Sequence, residues 1–230
     1  IQLVDAVVAT VAGRVVARRG APVTAGFLQL LARDGHLQAT GGTVPLTHEG
    51  AFRWPGVPPG AYTLMVSPRV DTSRVEPVAA QVARAEFGRL DVDVAGDVTD
   101  LLVRTQPGTV VRGRLVVDGD ASRLRGRSVR VQAVGIGPGG RASTQASATV
   151  RPDLTFELAG VHGTAVLRLG NVPDGWWTRT VRVARVDATD GFDFAAGRTV
   201  VGVEIVVSTK GSGLRGHVRT AGPSPPVDAV

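Results

Sequence analysis

Apolar and polar positions alternate along this chain far more often than they recur at helical spacing. Phe52 and Trp54, then Tyr62, Leu64 and Val66, form such a series, with Ala61, Thr63 and Met65 between the last three. Period two puts successive side chains on opposite faces of an extended strand, so one face is buried. The same reading predicts strands over residues 7–17, 25–32, 43–47, 76–82 and 98–104, punctuated by Arg19-Gly20, Asp34-Gly35 and Gly41-Gly42. Residues 76–90 satisfy two patterns, because Val78, Val82 and Phe87 also suit one short helix. Further along, strands are expected over 109–117, 128–134, 142–150, 154–158, 165–169, 177–186 and 200–208. Short strands at this density, with turn residues between, predict an all-β chain of antiparallel sandwiches, each of two packed sheets.

The pattern repeats. Val11-Ala12-Gly13-Arg14-Val15-Val16, Val111-Arg112-Gly113-Arg114-Leu115-Val116 and Leu214-Arg215-Gly216-His217-Val218-Arg219 superimpose, their glycines 100 and 103 residues apart. A second landmark keeps the same phase: Phe52 and Gly56 recur as Phe156 and Gly160, each 104 residues on. Spacing of this size marks whole domains rather than solenoid turns. The expected division is residues 1–106, 107–211 and an incomplete third copy at 212–230, with a short, restrictive link at 105–108. The corner Gly56-Val57-Pro58-Pro59-Gly60 is expected to bend through the fixed φ of its prolines and a positive φ at Gly60.

Composition narrows the function. Glycine and proline supply 30 and 14 of the 230 residues, which suits frequent turns and excludes a helical bundle. There is no cysteine, so disulfides, thiolate metal sites and cysteine nucleophiles are excluded. No run of 18 apolar residues occurs, and the sequence is not expected to span a membrane. The net charge of +6 is carried by arginines spread at strand-like spacing, without the clustered aromatics of a nucleic-acid surface. The densest group, Arg123, Arg125, Arg127 and Arg130, reads as a solvated loop and outer strand face or as an anion or nucleic-acid patch, with Arg123, Arg125 and Arg127 as candidate ligand or partner contacts.

Catalytic and metal chemistry find little purchase. His36, His48, His162 and His217 fall in separate segments and are expected at the surface. Gly135-Ile136-Gly137-Pro138-Gly139-Gly140 contains proline and opens no helix, so it reads as a hairpin tip rather than a phosphate cradle. Asp91, Asp93, Asp97 and Asp100, and again Asp187, Asp190 and Asp193, lack the ligand order of a calcium loop. No metal and no cofactor are expected. Trp176-Trp177 is the one pair with binding potential: alternation sends one ring to the core and the other outward, where it could stack on a sugar or a partner, unless both pack beneath the preceding corner.

The order Gly13-Arg14-Val15-Val16, then Phe52 through Leu64 with its Gly-Val-Pro-Pro-Gly corner, resembles bacterial carboxypeptidase regulatory-like domains, relatives of the transthyretin-like and Cna B-type sandwiches. Residues 172–177, 186–190 and 201–207 are similar to repeats strung in tandem in large exported bacterial proteins. The resemblance implies a noncatalytic module of a periplasmic, cell-surface or extracellular protein, acting as spacer, stalk or scaffold with protein partners. Other readings are a carbohydrate-binding module using an outward tryptophan, and an extracytoplasmic accessory subunit of a membrane complex. Intramolecular isopeptide bonds, which some Cna B-type domains make from Lys and Asn, are not expected, because Lys210 and Asn171 are the sole residues of their types and stand beside unlike landmarks.

Overall fold

A computed structural model describes residues 7–33, 43–71, 73, 75–124, 126–136, 142–195, 197–210 and 217. The chain is all-β apart from one short helix and one 3-10 turn among these residues. The N-terminal half contributes β1 (Ala9–Val16), β2 (Gly26–Ala32), β3 (Val44–Pro45), β4 (Ala51–Val57), β5 (Gly60–Pro68), α1 (Val78–Arg84), β6 (Glu86–Val94) and β7 (Val98–Pro107). Their order is β3-β2-β5-β6-β7-β1-β4. Strand β7 lies parallel to β1 over Val98–Arg104, then antiparallel to β6 over Thr105–Pro107. By changing partner it joins two layers around one core, in which Leu28, Leu64 and Val66 meet Val11, Trp54 and Val103.

The C-terminal half contributes β8 (Thr109–Asp118), a 3-10 turn at Ala121–Leu124, β9 (Arg130–Ile136), β10 (Ala142–Thr149), β11 (Thr155–Val161), β12 (Gly163–Gly170), β13 (Trp177–Val183), β14 (Val186–Asp187), β15 (Phe192–Phe194) and β16 (Thr199–Ser208). Two sheets, β10-β9-β12-β15 and β11-β8-β16-β13-β14, face one another. Between them Phe156, Leu158, Phe194 and Ile205 are the largest fully buried side chains.

The repeated landmarks occupy repeated positions. Gly13 pairs with Phe52 and with Leu101; Gly113 pairs with Phe156 and with Val203. A Cβ on Gly13 would lie 2.2 Å from the Leu101 carbonyl oxygen, and one on Gly113 would lie 2.3 Å from that of Val203. Glycine is thus needed where a parallel neighbour approaches too closely for any side chain. In the other layer Leu30 pairs with Leu64 and Ala32 with Tyr62, while Ala133 pairs with Leu167 and Gly135 with Ala165. A bulge follows Trp54 and another follows Leu158, where Pro55-Gly56 and Ala159-Gly160 each oppose a single residue.

Several expectations are corrected. Residues 78–84 take the helix of the two patterns open to them, against the strand over 76–82: Pro77 precedes the helix at φ −57°, and Ala79, Ala80, Gln81, Ala83 and Arg84 are better helix than strand formers. The strand of this region is β6, which starts only at Glu86. The run 177–186 is a hairpin, turned by Ala184 and Arg185 at φ 49° and 72°, a turn that carries no glycine to announce it. At the proline corner the positive φ belongs to Gly56, not Gly60, and the Tyr62 hydroxyl donates to the Pro58 carbonyl at 2.8 Å. The glycine tip at 137–140 and the third-copy segment, except His217, lie outside the described residues.

Candidate interaction surfaces

The tryptophan pair divides. Trp176 is 6% exposed and joins the C-terminal core, to which Leu124 and Val129 also belong. Its Nε1 is buried without a hydrogen-bond partner among the described residues. Trp177, the first residue of β13, is 42% exposed. Its register opposite Ser208 places it on the outer face, because Ile205 and Val207 of the same strand point into the core.

Beside Trp177 lies a polar cluster centred on the last residue of β8. Asp118 accepts from Lys210 Nζ at 3.0 Å, from Arg179 at 3.1 Å and from the buried Ser208 hydroxyl at 3.2 Å. The Lys210 contact, followed by that of Ser208, holds the Asp118 carboxyl below its ordinary pKa. Farther along the same outer face Arg114 pairs with Glu204 and Arg112 with Glu157, both between directly opposed residues of adjacent strands. Such exposed pairs add little stability. The two pairs cancel their own charge, whereas around Trp177 the one carboxylate of Asp118 stands against two cations, Arg179 and Lys210.

Arg123 stands exposed on the 3-10 turn, and Arg127 is exposed just after it. Both follow the strand end that carries Asp118. Arg125 lies outside the described residues, and Arg130 donates to the Ser147 hydroxyl across β9 and β10. The loop thus shares an end of the sandwich with Trp177, and its Leu124 and Val129 belong with Trp176 to the C-terminal core.

The aspartates serve the backbone and neighbouring side chains. Asp97 accepts from the Thr10 amide at 2.7 Å, Asp91 from the Thr63 hydroxyl at 2.8 Å, and Asp93 from Arg33. Asp187 closes a local turn through the amide and hydroxyl of Thr189, contacts that lower its pKa. Among the described residues no three His, Cys, Asp or Glu gather as metal ligands. Nor, among them, is any helix long and apolar enough to cross a membrane.

The structure also reveals a surface that sequence reasoning missed. Helix α1 has no buried residue and packs not on its own core but on β10 and β11 of the following sandwich. Val82 closes over the Gly160 bulge so tightly that a Cβ there would lie 2.6 Å from Val82 Cγ1. One strand later Phe87 stacks on His162, ring centroids 3.8 Å apart at 16°. His162, expected at the surface, is therefore half-buried in the joint. Its Nδ1 lies 3.1 Å from the Gly160 carbonyl, which can only accept, so Nδ1 carries the proton. Burial lowers its pKa, opposed in part by that hydrogen bond. The chain passes between the sandwiches through Gly108 alone, and the Gly197 amide clasps the Pro107 carbonyl at 2.7 Å.

No family model matches the chain, and no curated protein matches it. Among solved structures it is similar to GBS52, the minor pilin of Streptococcus agalactiae, at 12% identity over 92% of this chain and 100% of that one, with a TM-score of 0.40. It is also similar to a streptococcal ancillary pilin, at 16% identity over 86% of this chain and 62% of that one, TM-score 0.36. A third is the Bacillus anthracis TIE protein, at 10% identity and TM-score 0.30, where 87% of this chain covers 34% of that one. The chain thus spans less than two thirds of the length of the last two.

Proposed function

We propose that this chain is a noncatalytic spacer or scaffold segment of an exported bacterial protein, built from two like sandwiches at 1–106 and 107–211. It acts by holding its ends at a set separation and by offering its faces to protein partners. The observation that carries this reading is the joint: a one-residue link, a helix given up by one sandwich to seat on the next, and an aromatic stack across the seam. Each part restricts motion between the halves, which is what a spacer requires and a free tether avoids. The carboxypeptidase regulatory-like resemblance of residues 10–220 and the backbone roles of the aspartates agree with it.

The test is cellular and mechanical. Antibody against the chain should label intact cells or appear in the periplasmic or secreted fraction, and X-ray scattering of the purified chain should give one sharply defined maximum dimension. Retention in the cytosol, or scattering typical of two independently tumbling halves, would reject the proposal.

A second reading rests on Trp177, whose exposed ring stands beside the hydrogen-bonding groups of the Asp118 cluster, as carbohydrate-binding sites require. It is read on a glycan array with the Trp177→Ala chain as control. Binding by the parent that this change abolishes favours the reading; a silent array removes it. Arg123, Arg125 and Arg127 are proposed as contacts for an acidic partner at the same end, so charge reversal at Arg123 and Arg127 should weaken that association.

A further inference from the structure

The two bulges are alike in backbone and opposite in surroundings. Gly56 and Gly160 both sit at positive φ, 74° and 87°. Each follows two residues after a buried side chain that pairs with the first strand of its sandwich, Trp54 with Val11 and Leu158 with Val111. Gly160 is buried under Val82, whereas Gly56 is exposed and a Cβ built on it would meet nothing within 4 Å. The neighbours follow suit: Ala159 is half-buried and Pro55 exposed. The residues leading into the first strand differ in the same sense. Gly108 lies against Gly160 in the joint, while Val7 and Val8, one repeat earlier, are 78% and 52% exposed.

We propose that the Val7, Val8 and Gly56 end of the N-terminal sandwich is a docking site for the α1-type helix of another sandwich of the same build. The occupant follows from the interface already present. A short helix with a valine toward the bulge fits against Gly160 because the glycine leaves room for the β-branched side chain of Val82, and Gly56 leaves the same room. Val7 and Val8 stand exposed just before β1, the place that Gly108 holds inside the joint. The two corners are not identical, since Pro58 and Pro59 replace the stacking His162. A docked helix therefore finds proline rings where Phe87 finds an imidazole, and contact there is apolar. This inference rests on the reading of the chain as a segment of tandem sandwiches.

The test uses the absence of cysteine. A single thiol is placed by Pro55→Cys in the full chain and, at the same residue, in a concatemer in which a duplicate of residues 9–106 precedes Val7, so that Val7-Val8 take the place that Pro107-Gly108 holds in the joint. The rate of thiol labelling should fall by about tenfold in the concatemer, as a site ~90% covered requires. Val82→Asp in the duplicate alone should restore it. Equal rates in the two proteins would overturn the docking. Pro59→Cys supplies a second reporter on the same end if the first disturbs the bulge. Should the thiol stay open while the chain still appears outside the cytosol and its own two halves stay rigid, the docking fails and the spacer reading stands.

Discussion

The two sandwiches share a frame and differ in what each inserts into it. Between β5 and β6 the first spends its insertion on α1, which leaves to pack on the second. Between β12 and β15 the second spends its insertion on Trp176 and the β13–β14 hairpin, which stays home and covers the outer edge of β16. The matching edge of β7, over Val98–Arg104, has a partner only on the β1 side among the described residues. It carries Asp100 at φ 61° in a bulge that β16 repeats with Gly202 at φ 72°, so the backbone irregularity is shared and only the added hairpin differs. The corners differ likewise. The first is closed from within by the Tyr62 hydroxyl; the second, with Ala165 at the matching register, is closed from outside by Phe87 on His162. Strand register is thus the conservative part of the design, and insertions decide whether a sandwich gives or receives a joint.

That comparison can be broken most severely at its shared point. Gly13→Val and Gly113→Val should each destabilise their own sandwich by about 3 kcal/mol or more, since the new side chain meets a neighbouring carbonyl that cannot withdraw. Chemical denaturation monitored separately in each half checks this, and tolerance at one site but not the other would show that the frames are not equivalent. Next in size is the contrast between bulges. Gly56→Ala and Gly160→Ala both incur the left-handed strain of a non-glycine residue, roughly 1–2 kcal/mol. Gly160→Ala should lose about 1 kcal/mol more by lifting Val82. Identical losses would mean that the helix is not held there.

Smaller still is Tyr62→Phe, expected to cost about 1 kcal/mol in the first sandwich through the lost bond to Pro58 and to leave the second untouched. The smallest effect is one of pH. His162 has a folded pKa below its ordinary 6.5, so the unfolded chain binds the proton more readily. The contribution of its neutral form is fully present above pH 6.5 and declines as pH falls from there through the folded value. Thermal melts of the parent should therefore weaken between neutral and mildly acidic pH more than those of His162→Phe, which keeps the stack on Phe87 without titrating. Parallel pH profiles would show that the ring is not sensed by the fold.

Much of the frame was legible because backbone geometry writes it locally. A glycine where a parallel strand presses close, a phenylalanine opposite it and a glycine in the next bulge are demands of single positions, so Gly13, Phe52 and Gly56 could be matched to Gly113, Phe156 and Gly160 before any strand was placed. The all-β class followed from period-two alternation for the same reason. What tertiary structure decided were contacts between residues far apart in the chain. Val78, Val82 and Phe87 fit a strand or a helix equally well, and the choice was made by helix-forming neighbours and by a seat on Gly160. His162 carries no local mark of its stack, because its partner comes from the other sandwich. Whether Trp176 or Trp177 faced water depended on the register of β13 against β16, a one-residue choice that alternation alone leaves open and that pairing across the sheet resolves.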